Sequence, residues 1–214
     1  MTHKLKAGIC AATAVAAACA FGSAAAYAEE QSPWQIRARA VVVSPDEDAT
    51  ISVIGGDADI DTSVVPEIDI TYFFTDNIAA ELILATTPHD VSAVNTGIGN
   101  VDLGDVWLLP PTLLLQYHFA PGEQIRPYVG AGINYTIFYN EDAPGGTVTS
   151  IDYDNSVGWA LQAGVDYDLG DGWMLNADVK KIFLNTDVSI NNGAITADVD
   201  IDPWLFGIGV GYRY

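Results

Sequence analysis

Asp57-Ala58-Asp59-Ile60-Asp61 sets three carboxylates at alternate positions, the way a calcium-binding loop opens. Such a loop continues with a glycine at its sharp turn and closes on a bidentate glutamate. Thr62 and Ile68 occupy those places, so an EF-hand is excluded. Asp46, Glu47, Asp48, Glu141, Asp142, Asp152 and Asp154 lie in similar acidic segments. They suit diffuse cation binding, with divalent ions bridging to lipopolysaccharide phosphates, or an ordinary solvated, salt-adapted surface. Little is left for acid–base or nucleophilic chemistry. His89 and His118 are the only histidines after residue 3, both cysteines fall within the first nineteen residues, and no G-x-S-x-G or H-E-x-x-H pattern occurs. His118, between Tyr117 and Phe119, reads as a polar group of an interior or an interface. The expectation is therefore no catalytic residue, no metal centre, no cofactor and no enzyme. One constellation remains: Arg37 and Arg39, Glu67 and Asp69, Glu81, and Asp178 with Lys180, charges of both signs inside otherwise apolar segments.

Those segments alternate with period two, the signature of strands. In the clearest, Val129, Ala131, Ile133, Tyr135, Ile137 and Tyr139 fall on one face, opposite Tyr128, Gly130, Gly132, Asn134, Thr136 and Phe138. The pattern predicts eight strands, at 33–44, 64–75, 78–88, 108–119, 126–140, 156–168, 172–185 and 201–214. Long connections (45–63, 89–107, 141–155, 186–200) alternate with short ones at Asp76-Asn77, Ala120 to Ile125 and Leu169 to Asp171. Four long and three short connections put both chain ends on one side, the asymmetry of outer-membrane barrels. After the N-terminal segment no apolar run reaches the ~18 residues of a membrane helix.

The chain begins as an export signal does. Lys4 and Lys6 precede an alanine-rich apolar stretch, and Ala26-Tyr27-Ala28 supplies a small-x-small cleavage pattern. Residues 1–28 are thus expected to be a cleaved signal peptide and 29–214 the barrel. A lipoprotein attachment at Cys19 is the alternative, though Ala16-Ala17-Ala18 lacks the usual leucine. Without Lys4 and Lys6 the chain keeps six basic against twenty-eight acidic residues, a formal charge of −22. Such a surface repels nucleic acid, whose binding depends on neutralising phosphates.

Periodicity alone does not say which face lies inside, and a soluble, lipocalin-like periplasmic barrel would share the strand count. Three features favour a transmembrane barrel with the charges inside. Arg37, Arg39, Glu67, Asp69, Glu81, Asp178 and Lys180 compensate one another, as groups enclosed in a narrow lumen must. Trp34, Phe74, Tyr117, Phe119, Tyr139, Trp159, Tyr167, Trp173 and Trp204 stand near strand ends, where aromatic girdles mark the membrane interfaces. The chain also stops on Tyr214, and a terminal aromatic resembles the signal read by the barrel-assembly machinery. The fold class expected is all-β: an eight-stranded antiparallel transmembrane β-barrel with four long outer loops and three short periplasmic turns.

Four blocks, Thr71-Tyr72-Phe73-Phe74-Thr75-Asp76-Asn77-Ile78, Leu109-Pro110-Pro111-Thr112-Leu113, Arg126-Pro127-Tyr128-Val129-Gly130-Ala131-Gly132-Ile133-Asn134-Tyr135-Thr136 and Asp202-Pro203-Trp204 with Gly211-Tyr212-Arg213-Tyr214, resemble in order the recurrent blocks of the OmpW family (OmpW/AlkL type). They cover strands two to eight; the acidity of the outer segments departs from the family. The resemblance implies an eight-stranded barrel with a narrow, partly apolar channel, associated with passage of small hydrophobic molecules into the outer membrane. Its implied surroundings are outer-membrane lipid and lipopolysaccharide. On the residues themselves, Val41, Val43, Ile83, Leu114, Phe138 and Leu205 point into the upper barrel as an apolar lining. Pro110 and Pro111 lack the N–H that a barrel wall needs. Either they belong to the outer loop, or they hold a break in strand pairing through which an apolar solute leaves sideways. Lys181 falls on the lipid face, either snorkelling at the outer rim or displaced by a bulge. Two other readings stay open: a structural or adhesive barrel with a packed lumen, and the soluble ligand-binding barrel.

Overall fold

The computed structural model describes residues 32–214. The expected signal peptide lies outside the described residues. In chain order the strands are β1 (Trp34–Ser44), β2 (Asp48–Ile51), β3 (Asp57–Ile60), β4 (Ser63–Phe73), β5 (Ile78–Ala85), β6 (Thr87–Val94), β7 (Val101–Leu109), β8 (Thr112–His118), β9 (Ile125–Asp142), β10 (Ile151–Tyr153), β11 (Ser156–Gly170), β12 (Trp173–Phe183), β13 (Asn185–Ile190), β14 (Ile195–Asp200) and β15 (Trp204–Arg213). Eight of them close on themselves in the order β1-β4-β5-β8-β9-β11-β12-β15, every neighbour antiparallel, with β15 returning to β1. Closure leaves the barrel proper without an edge, which a wall in lipid requires.

The alternation read from the sequence becomes an alternation of environment. Along β1 every second residue is buried, from Gln35 to Val43, while Trp34, Ile36 and Val42 face out. Outward apolar side chains stay far from buried: Ile68 55%, Leu115 61%, Trp159 70% and Ile208 68% exposed. A belt of that kind is a large liability in water and the ordinary outer surface of a barrel in lipid. Aromatics bound it at both ends. At the short-turn end Trp34, Tyr72 and Phe74 interlock edge to face at 4.8 and 5.2 Å; nearby Trp173 packs tilted on Tyr212 at 5.1 Å and Tyr212 edge to face on Tyr214 at 5.0 Å. At the other end stand Trp107 with Tyr139, and Trp204 with Phe206. The charges are inside and the greasy faces outside.

The four long connections are not plain loops. β2, β10, β13 and β14 form a four-stranded sheet, and β3, β6 and β7 continue the barrel wall above β9. These strands carry the wall beyond the outer girdle, so the outer loops of the sequence reading are in large part strand. Acidic side chains face out from them. Asp90, Asp105 and Asp142 stand directly opposite one another across β6, β7 and β9. A hydrogen bond from Asp105 pushes the Asp90 carboxyl up from its usual range. Apolar side chains face in: Ala49, Ile51, Ala58, Val91, Val106, Val188, Ile190, Ala197 and Val199 all join one buried cluster with Val41 and Val43.

Candidate functional site: an apolar cavity above a charged plug

The lower half of the barrel interior is filled by charge. Arg37 of β1 donates through Nη1 to Asp69 (3.2 Å) and Glu81 (2.8 Å) and through Nη2 to Asp166 (2.9 Å). With the Gln35 amide turned so that its oxygen faces the guanidinium, Nε and Nη2 also lie 3.0 and 2.7 Å from it. Arg39, one inward step higher, contacts Glu67 (2.8 Å), Asp69 (2.9 Å), Glu81 (3.3 Å) and Asp178 (2.9 Å). Lys180 reaches Glu67 and Asp178, both at 2.9 Å. Gln116, Gln162 and Asn176 bridge the carboxylates, and Tyr128 lies beneath the Arg37 guanidinium. All of these side chains are buried. Desolvating so many charges is expensive, and only dense mutual pairing offsets it.

Sequence supplies the space. Gly207, Gly209 and Gly211 present no side chain to the lumen along β15. A Cβ on Gly209 would sit 2.7 Å from Arg39 Cγ, and one on Gly211 would sit 2.9 Å from Arg37 Cγ. The small residues of one strand thus make room for the long cations of the next.

Above the plug the interior turns apolar. A cavity of about 70 Å³ is lined by Val41, Val43, Val65, Ile83, Phe138 and Leu205 from the barrel and by inward residues of the outer strands, among them Ile51, Val106 and Val199. Glu67 and Lys180 form its floor. Near its top His89 bonds the Asp61 carbonyl through Nδ1 at 2.9 Å.

The wall around this cavity is interrupted twice. Between β5 and β8 pairing stops at Ile83↔Thr112 and resumes between β6 and β7 at Thr87↔Leu108. Leu84, Ala85 and Thr86 have no ladder partner on that side among the described residues, because Pro110 and Pro111 stand opposite. On the β9 side the wall is kept by Tyr135 N donating to the Pro111 carbonyl (3.0 Å) and Asn134 Nδ2 to that of Pro110 (3.2 Å). Outside, the Thr86 and Tyr139 hydroxyls bond to one another across this gap. The second interruption is wider. β4 pairs with β5 only as far as Glu67↔Ala85, and β3 pairs with β6 from Ile60↔Val91, with Asp61 N still donating to the Asp90 carbonyl (3.3 Å). Ser63 to Pro66 therefore pair with β1 alone and not with Thr87 to Asp90. Pro66 and Pro88 withhold a donor on each side. Val65, Ala85, Thr87 and His89, which border this gap, also line the cavity.

The structure brings all seven expected lumen charges into one network and adds Asp166 of β11. Five of the six expected lining residues touch the cavity. Leu114 is buried (1%) in the same apolar cluster but does not line it, because it stands level with Glu81 and Gly132 near the plug. Pro110 and Pro111 are not loop residues: they sit between two strands that keep one register against β9 from Trp107 to His118. The gap at Pro66 and Pro88 was missed. Tyr214 is half exposed, and its backbone bonds Ser32 and Trp34. His118 is buried, stacked on Tyr128 and bonded to Gln116. Lys181 is at the outer rim without a bulge, its ammonium on Asp46 (3.0 Å) and over the Trp204 ring (5.1 Å).

The profile of the OmpW family matches residues 30–214. The chain is 47% identical over 187 residues to the uncharacterized outer-membrane protein y4mB of Sinorhizobium fredii, across 86% of this chain and 80% of that protein. It is 32% identical over 193 residues to the dibenzothiophene metabolism operon protein PahQ of Pseudomonas aeruginosa, across 86% and 90%. The crystal structure of the outer membrane protein OprG from Pseudomonas aeruginosa matches with a TM-score of 0.78 at 32% identity, covering 86% of this chain and 97% of that one. A closed eight-stranded wall, an apolar outer belt between aromatic girdles and near-complete coverage by one family converge: the chain belongs to the OmpW family and is a β-barrel of the outer membrane.

Proposed function

We propose that the barrel takes small hydrophobic molecules from the outside into its apolar cavity and releases them sideways into the bilayer through the gap between β4 and β6. The observation carrying this reading is the coincidence of three features: an apolar lining, a floor sealed by paired charge, and unpaired wall where Val65, Ala85, Thr87 and His89 border the cavity. A solute that cannot cross the plug has the lateral route left, and irregular backbone at membrane depth is tolerated where it lines a cavity. PahQ, named for a dibenzothiophene metabolism operon, is a relative whose name fits the same solute class. Pro110 and Pro111 hold the neighbouring interruption, and Thr86 with Tyr139 keeps that one shut. Lys181 at the rim meets anionic lipopolysaccharide, and Tyr214 serves the assembly machinery. In a deletion strain, uptake of a long-chain hydrocarbon should fall severalfold and recover when the gene is restored; unchanged uptake refutes the reading.

The small size of the cavity favours a second reading, in which the lumen is packed and the barrel works as a scaffold for its acidic outer strands. That reading predicts no change in uptake on deletion, so the same comparison separates the two.

A further inference from the structure

The cavity floor is polar in an otherwise apolar chamber, and its hydrogen bonds are incomplete. Glu67 is 2% exposed; its Oε1 takes both the Lys180 ammonium and the Arg39 contact, while Oε2 receives no hydrogen bond among the described residues. Lys180 is equally buried and spends two of its three N–H groups, on Glu67 and Asp178. Neither nearby hydroxyl donates to Glu67: Thr112 gives its proton to the Pro110 carbonyl and Thr136 to Asn134. One acceptor and one donor are therefore left at the bottom of the chamber.

We infer that this floor binds the polar head of an amphiphile, and that the preferred solute is a chain ending in a hydroxyl rather than a plain hydrocarbon. The inference deepens the passage reading above and rests on it. A hydroxyl donates to Glu67 Oε2 and accepts from Lys180 at once, with its chain lying up the apolar wall. An alkane reaching the floor displaces water there and leaves both charged groups short of a partner, the costly half of the hydrogen-bond asymmetry. A carboxylate end meets Glu67 directly and is repelled. A hydrogen bond to a charged group is worth about 1.5 kcal/mol or more, which corresponds to about tenfold in binding.

The test uses the full barrel in lipid nanodiscs loaded with the fluorescent probe N-phenyl-1-naphthylamine. The competitors 1-decanol, n-decane and decanoate are compared at equal concentration within the bilayer, corrected with empty nanodiscs. The expected result is displacement by decanol at about tenfold lower concentration than by decane or decanoate. In the charge-balanced double variant Glu67→Gln/Lys180→Met the advantage should shrink to about twofold; Asp178 there keeps Arg39 and Gln162 as partners. Heat-modifiable gel mobility reports that this variant folds, and Glu67→Gln alone, expected to give an intermediate preference, serves if it does not. Equal competition by decanol and decane in the unaltered barrel overturns this inference and leaves the passage reading standing, as does a preference that survives in the variants. Displacement by none of the three overturns both.

Discussion

Replacing Arg37 by methionine should destabilise the barrel by about 3–5 kcal/mol, the usual consequence of removing one partner from a buried ionic cluster. The loss is not that of one ion pair. Asp69, Glu81 and Asp166 converge on the Arg37 guanidinium, and of the three only Asp166 also lines the polar pocket at the short-turn end. Arg37→Lys should fall between the two. It keeps the charge but gives up the planar fork that serves three carboxylates and Gln35 together. Adding Glu81→Gln to Arg37→Met should recover part of the loss, since it removes one of the stranded charges. Urea titration of the heat-modifiable form in detergent measures all three. An Arg37→Met barrel as stable as the unaltered one would mean that the plug is hydrated and loosely held.

Val65→Trp should reduce hydrocarbon uptake at least about tenfold while leaving a folded barrel. Val65 is 6% exposed, lines the cavity and stands where β4 has lost its partner, so an indole there fills both the chamber and its side opening. Overpacking costs about 1–3 kcal/mol, which a closed eight-stranded wall survives. Ile133→Trp, on the lipid side of β9 and 50% exposed, is the matched control and should transport normally. Equal uptake by the two variants would remove the gap from the route.

Most of this architecture could be read from the chain, because barrel strands advertise their two environments. In β9 and β15 the alternation is unbroken, and the charges of β1, β4, β5 and β12 fall on one face with opposite signs, so the seven expected members of the plug can be named from the sequence. Asp166 escaped because its neighbours on that face are Gly164 and Asp168, which read as a strand running out into a turn. The outer strands were harder. Ala197-Asp198-Val199-Asp200-Ile201-Asp202 alternates as strictly as any barrel strand, but its aspartates and the surrounding Asn and Gly residues carry the composition of a loop. Composition outweighed period there, and the upper half of the cavity lining went unseen. The gap between β4 and β6 depends on which strands fail to pair, a property of register over distant segments. Pro66 and Pro88 were visible, but each is tolerable in a strand with a free side. Only the assembled wall shows that both border the same unpaired stretch.

The passage of an apolar molecule through the cavity and out between β4 and β6 can be seen most directly by photolabelling. An alkane carrying a diazirine is supplied to intact cells, irradiated, and its adducts mapped by mass spectrometry of the purified barrel. Adducts on Val41, Val43 and Ile83 inside, and on Val65, Ala85 and Thr87 at the opening, are the predicted result. Adducts confined to the lipid-facing Ile133, Leu161 and Ile208 would mean that the alkane meets this protein only from the bilayer, and the proposed route would be wrong.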